Sequence, residues 1–328
     1  MAALRIGMLG AARITPLALI APARERPDVV VAAVAARDVS RARRFADRHD
    51  IPRVHDSYEG LLSDPEIDAV YNPLPNALHG RYTRAAIAAG KHVLCEKPFT
   101  ANAEEAREVA DAASASGLVV MEAFHYRYHP LMLAVERIIA SGELGRLLSV
   151  EAAFCFPLPR FSDIRYDFGL AGGALMDAGC YAVHMVRTFG GSTPDVVAAQ
   201  AKWYRPEVDR AMTADLRFAA GHTGRIRCSM WSADVLRASL TIVGEYGEVR
   251  VLNPLLPHIL HRLTVRRSRA ARTERFPRRA SYAYQLDAFC DSVLHGSPVL
   301  TPPEDAVENM TVIDAIYRAA GGSVRRPG

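Results

Sequence analysis

The chain reads as an α/β protein: an N-terminal doubly wound parallel sheet, then an α+β part with a large, open, mostly antiparallel sheet. Three observations predict this. Short apolar strands alternate with helical patterns up to about residue 122. From Val196 onward strand patterns succeed one another without helices, joined by turns such as Ala220-Gly221 and Tyr246-Gly247. The 328 residues, 50% hydrophobic and 23% charged, suffice for two domains with separate cores. The composition shift places the boundary between domains 1–122 and 123–328.

Leu4–Leu9 is a buried strand that runs into Gly10-Ala11-Ala12-Arg13-Ile14. Thr15 is a candidate N-cap and Pro16 the first residue of a helix through about Ala23. Strand Val29–Ala36, helix Ser40–His49, strand Ala69–Tyr71 and helix Leu78–Ala89 follow. Strand Lys91–Leu94, helix Ala103–Ser116 and strand Leu118–Met121 complete the first part. The second opens with helix Pro130–Ala140, strand Leu147–Phe156 and helix Gly172–Phe189. Its strands are Val196–Tyr204, Met212–Phe218, Gly224–Ser232, Ser239–Val243, Glu248–Val251 and Ile259–Val265, before helices Tyr282–Leu294 and Pro303–Ala319. Alternation in the first of these strands puts Val196, Ala198, Gln200, Lys202 and Tyr204 on one side. Such a sheet leaves one mixed face bare, which favours self-association as a homodimer or homotetramer.

Net charge is +4, with eight arginines concentrated between Arg262 and Arg279. That run reads as an exposed hairpin or loop on a sheet rim. A nucleic-acid patch would call for interleaved aromatics, and only Phe276 and Tyr282 are near. The five cysteines are scattered without Cys-x-x-Cys spacing, so they fit reduced thiols in a cytoplasmic protein, neither a disulfide frame nor a zinc site. The start of the chain lacks a signal-peptide layout, and no apolar run approaches membrane-spanning length. These features point to a small-molecule partner and away from nucleic acid and membrane.

The chemistry concentrates at the carboxyl ends of the first-part strands, where open parallel sheets bind ligands. Leu94-Cys95-Glu96-Lys97-Pro98 places a carboxylate, an amine and a rigid proline there, with Pro98 biasing Lys97 toward an extended backbone. Only Lys91, Lys97 and Lys202 are lysine among 40 basic residues, so a lysine that persists suggests a need for a compact amine, or for one able to lose its proton. The turn Gly10 to Ile14 retains one glycine of a three-glycine dinucleotide fingerprint; Ala12 and Thr15 stand at the other two positions. After the second strand, Asp38 could hold a ribose 2′-hydroxyl, whereas Arg37 and Arg41 could accommodate a 2′-phosphate. Asp38 or Ser40 could equally cap the next helix. Pro73, Leu74, Asn76 and His79 form a stiff loop and helix start that could face a cofactor. In the second part, Asp177, Tyr181 and His184 stand at i, i+4 and i+7 of one helix, hence on one face. The alternative is a set of satisfied buried side chains.

Together these segments resemble the Gfo/Idh/MocA family, the glucose-fructose oxidoreductase-like NAD(P)-dependent enzymes, over essentially the whole chain. The resemblance rests on the Gly10 turn, on Ala89-Gly90-Lys91-His92-Val93-Leu94 leading into Glu96-Lys97-Pro98, and on Gly172-Gly173 before Asp177 and Tyr181. Ile242 to Gly247, Tyr284-Gln285 and Asp314-Ala315-Ile316 also match. Within the family, the aspartate-x3-tyrosine form looks like dihydrodiol dehydrogenases and ketosugar reductases. The resemblance implies a Rossmann, dinucleotide-binding domain in 1–122 and a substrate-binding domain in 123–328 whose open sheet mediates dimerisation. It implies NAD(P) as cofactor, bound by the Gly10 to Ile14 turn, Arg37, Asp38, Arg41, the Pro73 to His79 loop, Glu96 and Lys97; Arg37 and Arg41 favour NADP, with NAD possible. Hydride transfer to or from a carbinol carbon must be coupled to a proton on its oxygen. Tyr181 is the expected acid/base, Lys97 the charge that lowers its pKa, and Asp177 the residue that orients it or a substrate hydroxyl. Free tyrosine titrates near ~10, so a shift of about two units is needed. His125, Arg127 and Tyr166, with Asp177, Tyr181 and His184, are expected to contact a sugar-like or dihydrodiol substrate. No metal is expected. The alternative function is an NAD(P)-responsive regulator of the same fold that turns nothing over.

Overall fold

The computed structural model describes residues 3–268 and 270–328. Strands β1 (Leu4–Leu9), β2 (Val29–Ala35), β3 (Arg53–His55), β4 (Ala69–Asn72), β5 (His92–Cys95) and β6 (Val120–Glu122) form a sheet in the order β3-β2-β1-β4-β5-β6. Every pairing in it is parallel. The reversal of order at β1 and β4 opens a crevice at the carboxyl ends of those strands. Apolar runs such as the VVVAAVA of β2 suit strands covered on both faces.

The intervening helices start and stop where their chemistry requires. Helix α2 (Val39–His49) is capped by Asp38, which accepts from the Ser40 and Arg41 amides. Helix α4 (His79–Ala88) continues a 3₁₀ turn, Asn76–Leu78. Helix α5 (Ala103–Ser116) is capped by Asn102 and ends at Gly117 in the left-handed region. The first helix, α1, departs from expectation: it opens as a π-helical stretch, Pro16–Ile20, and closes as Ala21–Ala23. Thr15 is already helical there and caps nothing; its hydroxyl is buried without a hydrogen-bond partner. Strand β3 and the short helix α3 (Tyr58–Leu62) carry too few residues for a periodic signal.

The second sheet has eight strands: β7 (Leu147–Cys155), β8 (Asp195–Arg205), β9 (Val208–Arg217), β10 (Thr223–Ser229), β11 (Arg237–Gly244), β12 (Gly247–Leu252), β13 (Arg262–Arg267) and β14 (Ala270–Glu274). Their order is β14-β13-β12-β11-β7-β10-β9-β8, and only the β7–β10 pair is parallel. Ile226, Cys228, Leu240, Ile242, Val249, Val251, Leu263 and Val265 are buried on one face, where helix α7 (Cys180–Gly190) lies against β7 and β10. Alternate residues Arg225, Arg250 and Arg266 are exposed. The arginine run folds as the edge hairpin β13–β14, with Arg272 paired to Glu143 and Glu274.

The expected alternation of β8 is interrupted at Val197 and again between Lys202 and Arg205, around Tyr204. The register against β9 jumps from Val196↔Leu216 to Ala198↔Asp215, so Val197 is a bulge and parity reverses beyond it. Val196 therefore lies opposite a buried residue, while Ala198, Gln200 and Lys202 are exposed.

The chain divides into two compact units, one of residues 1–125, 282–306 and 327–328, the other of 126–281 and 307–326. The single boundary expected after 122 stands beside units that exchange at 125, 281, 306 and 326. Helix α8 (Ser281–His295) joins the first unit because its apolar residues Leu286, Phe289 and Cys290 are buried and Arg26 binds Asp287 and Asp291. Thr301 also donates its hydroxyl to the Glu122 carbonyl and accepts the Glu122 amide. Helix α6 (Pro130–Ala140) belongs to the second unit, and helix α9 (Pro303–Ala319) does so from Val307 onward.

Candidate active site

In the first unit, Gly10 ends β1 with φ +90°, a conformation that glycine adopts without strain. A Cβ there would meet only the tip of Leu74, at 3.2 Å. Ala11 is buried, Ala12 and Ile14 half-buried, and Arg13 exposed. Arg41 reaches this turn, donating to the Ala11 carbonyl at 2.7 Å. Asp38 accepts at Oδ1 from the Ser40 amide (2.9 Å), the Ser40 hydroxyl (2.7 Å) and the Arg41 amide (3.2 Å), and the Ser40 hydroxyl above all holds its pKa below the ordinary range. That carboxylate oxygen is engaged in the cap. Beside it Arg37 is exposed and has no carboxylate partner among the described residues.

Lys97 is half-buried, and its backbone is held on both sides. Upstream, the Glu96 carboxylate accepts from the Tyr71 hydroxyl at 2.7 Å and the Lys97 amide at 3.3 Å. The Glu96 amide donates to the Asn72 carbonyl at 3.0 Å. Downstream, the Lys97-Pro98 bond is cis, the Pro98 carbonyl contacts His79 Nδ1 at 2.7 Å, and the Phe99 amide donates to Glu122 at 2.8 Å. His79 Nε2 contacts the Leu74 carbonyl at 2.6 Å. His79 thus braces two loops: it is 1% exposed, and both ring nitrogens face main-chain carbonyls. Burial pushes its pKa down to about 4, against the raising effect of those carbonyls. Pro73 and Leu74 are buried and Asn76 is half-buried.

In the second unit the expected helix is two. A π-helical stretch, Leu175–Gly179, carries Asp177, and α7 carries Tyr181 and His184. The one regular helix expected here opens instead with the wider π turn. Asp177 accepts from Arg165 Nε at 3.0 Å, and Arg165 also binds Asp163 at 3.1 Å. Tyr181 is 5% exposed and packs edge-on against Tyr126 and Phe154, with ring centroids 6.0 and 5.7 Å away. His184 is buried and shares a 2.5 Å hydrogen bond through Nδ1 with the Tyr126 hydroxyl.

Several expected substrate residues have partners within the chain. Arg127 is 6% exposed and makes a two-pronged bond to Glu136, at 3.0 and 2.8 Å. The buried His125, in the first unit, packs tilted against the Tyr282 ring, with centroids 4.0 Å apart. The Tyr166 hydroxyl donates to the Leu158 carbonyl, and its ring packs on Phe161 and Tyr204. Sequence reasoning assigned no role to Tyr71, Glu122 or Phe154. For the first two, position at a strand's carboxyl end is the one available signal; Phe154 offered none.

Among the described residues no group of His, Cys, Asp and Glu could hold a metal ion, and no helix is long and apolar enough to cross a membrane. The five cysteines are all buried and free.

A parallel six-stranded unit with a glycine turn at the end of its first strand, together with an α+β unit, is the domain pair of a nicotinamide-dependent oxidoreductase. The comparisons make the family plain. Residues 4–124 match the profile described as "Oxidoreductase family, NAD-binding Rossmann fold", and residues 132–250 match the GFO/IDH/MocA C-terminal domain. The chain is 40% identical over 316 residues to D-xylose 1-dehydrogenase (NADP(+)) 2 of Haloferax volcanii, covering 96% of both. It is 36% identical to human trans-1,2-dihydrobenzene-1,2-diol dehydrogenase, over 70% of this chain and 68% of that one. Among solved structures, KijD10, a 3-ketoreductase from Actinomadura kijaniata in complex with NADP and TDP-benzene, superposes with a TM-score of 0.88 at 28% identity, covering 97% of this chain and 98% of that one. A lysine-to-alanine and a tyrosine-to-phenylalanine variant of KijD10 match as well. This chain belongs to the Gfo/Idh/MocA oxidoreductase family.

Proposed function

We propose that the chain is an NADP-dependent dehydrogenase or reductase of a sugar-like or dihydrodiol alcohol or ketone, with Lys97 and Tyr181 as its proton relay. The observation that carries this reading is the fixed setting of Lys97 between Glu96 and Pro98. It is joined by a spacing: the lysine and tyrosine replaced in the KijD10 variants are separated by the same number of residues as Lys97 and Tyr181. The unpaired Arg37, beside a carboxylate already capping a helix, supports NADP over NAD, as does the NADP dependence of the Haloferax enzyme.

The bound nicotinamide supplies or accepts the hydride. The Tyr181 hydroxyl gives or takes the proton at the substrate oxygen. The Lys97 ammonium favours the phenolate form of Tyr181 by its charge and donates to the same oxygen. Asp177, paired with Arg165, orients a substrate hydroxyl. Gly10 to Ile14, Arg37, Arg41, Pro73, Leu74 and Asn76 hold the cofactor. His79, Glu96, His125, Arg127, Tyr166 and His184 support these groups from behind. The exposed face of the second sheet supports a homodimer or homotetramer, and five buried free thiols support a cytoplasmic location.

The test is a panel of aldoses, including D-xylose, of ketosugars and of dihydrodiols, with NADP(H) or NAD(H), read at the reduced-nicotinamide absorbance. Turnover with NADP(H) is expected for at least one alcohol or ketone. Cofactor binding with no turnover of any of them would overturn the reading in favour of a regulator.

A further inference from the structure

The second unit closes on itself at the turn from which Asp177 is suspended. Arg325, in the segment after α9, is 1% exposed. Its Nε donates to the Gly172 carbonyl at 2.7 Å, its Nη1 to the Ser323 carbonyl at 2.9 Å and its Nη2 to Asp209 Oδ1 at 3.1 Å. The Tyr317 ring lies 3.9 Å from the guanidinium carbon and the Phe168 ring 5.0 Å from it. Asp209, on β9 and fully buried, accepts the Tyr317 hydroxyl at 2.9 Å and, through Oδ2, the Leu175 amide at 2.7 Å. Leu175 is the first residue of the π-helical stretch.

The turn itself has no slack. Gly173 sits at φ +135°, and a Cβ there would lie 2.2 Å from Asp209 Oδ1 and 2.7 Å from both Arg325 Nη2 and the Tyr317 hydroxyl. Its amide donates to the Arg165 carbonyl at 2.8 Å, and its carbonyl accepts the Asp177 amide at 3.0 Å. Arg165 returns to the Asp177 carboxylate. Displacing the Asp209–Arg325–Tyr317 group therefore displaces Asp177 and the start of the helix that bears Tyr181.

A buried ion pair is a poor stabiliser in itself, since desolvation of both charges offsets most of their attraction. Apolar residues of the same volume would fill the space as well. What they could not do is direct separate bonds at the Gly172 carbonyl and the Leu175 amide. We propose that Asp209, Tyr317 and Arg325 are positioning residues for the reaction: they lock the Gly172–Leu175 turn and so set Asp177 and Tyr181 for proton transfer. The proposal rests on the assignment of Asp177 and Tyr181 made above.

The informative variants are Tyr317→Phe, which removes one hydrogen bond, and the double variant Asp209→Asn with Arg325→Met, which leaves no uncompensated buried charge. Each is assayed well below its unfolding midpoint, with NADP(H) and the best substrate of the panel, beside the parental protein and Tyr181→Phe. The double variant should lose roughly tenfold or more in kcat, as small misplacements of reacting groups do. Tyr317→Phe should lose several-fold, and the NADPH dissociation constant should stay within about twofold. Amide hydrogen exchange in the 173–181 segment should quicken in both variants, a readout that requires no turnover. Parental kcat and parental exchange in folded Tyr317→Phe, with only a lower midpoint, would overturn the proposal, even if the double variant fails to fold. Parental turnover in Tyr181→Phe would instead sink the underlying assignment.

Discussion

In the first unit Lys97 is held by neighbours on adjacent strands; in the second, Asp177 is held by residues gathered from far along the chain. Tyr71 and Glu96 lie at the carboxyl ends of the paired strands β4 and β5, Glu96 just past the last strand residue, and Glu122 ends the adjacent β6. Asp209, Tyr317 and Arg325 come from a strand, a helix and the segment after it. Both arrangements fix a polar group by main-chain bonds on either side. A parallel sheet delivers its strand ends to one edge automatically, so a short motif suffices there. An α+β unit has no such edge, and directional bonds from remote residues set its turn.

The contrast predicts unequal sensitivity. Gly173→Ala should be the most damaging change, costing about 3 kcal/mol or more by denaturant unfolding, because strained backbone and a clash with Asp209 coincide. Gly10→Ala has the flexible tip of Leu74 to displace and should cost about 1 kcal/mol. The reverse order would break the comparison.

Protonation offers a second lever. His129 accepts the Leu131 amide at Nδ1 and donates from Nε2 to the Pro277 carbonyl, so the neutral ring suits the second unit's core. Burial first of all pushes its pKa down to about 4. An unfolded histidine takes up its proton below about 6.5, while the folded one resists to about 4. The unfolded state thus binds more protons across that window, and stability falls as pH falls through it, by on the order of 3 kcal/mol. Urea unfolding at stepped pH, with and without His129→Gln, measures this; an unchanged slope in the variant would deny it. His79 contributes in the same direction from the first unit, so the parental slope should exceed the part that His129→Gln removes.

Smaller effects sharpen the picture. Arg37→Ala should weaken NADPH roughly tenfold and leave NADH within about twofold, measured by fluorescence titration. Equal loss for both cofactors would remove Arg37 from the 2′-phosphate. Arg272→Ala breaks exposed ion pairs on the edge hairpin and should leave the unfolding midpoint unmoved, in contrast to the variants at buried Arg325.

Much of this was legible in the sequence for a physical reason. Helix Ala103–Ser116 and strand Leu4–Leu9 follow from apolar periodicity, and Glu96-Lys97-Pro98 from its place after a buried strand. What escaped was whatever depends on distant partners. Nothing near Arg127 announces that Glu136 will occupy it, and nothing near Arg325 announces Asp209. The bulge at Val197 and the π turns at Pro16 and Leu175 shift registers by a residue, which period counting cannot see.

The central claim is that Lys97 and Tyr181 act as one unit, and kcat of four proteins tests it: parental, Lys97→Met, Tyr181→Phe and the double variant. Each single change should lower kcat by roughly 10²–10⁴, with NADPH affinity little changed for Tyr181→Phe. The double variant should stand near the worse single one. Losses that multiply in the double variant would contradict the account, as would near-parental turnover in Tyr181→Phe alongside its abolition in His184→Asn.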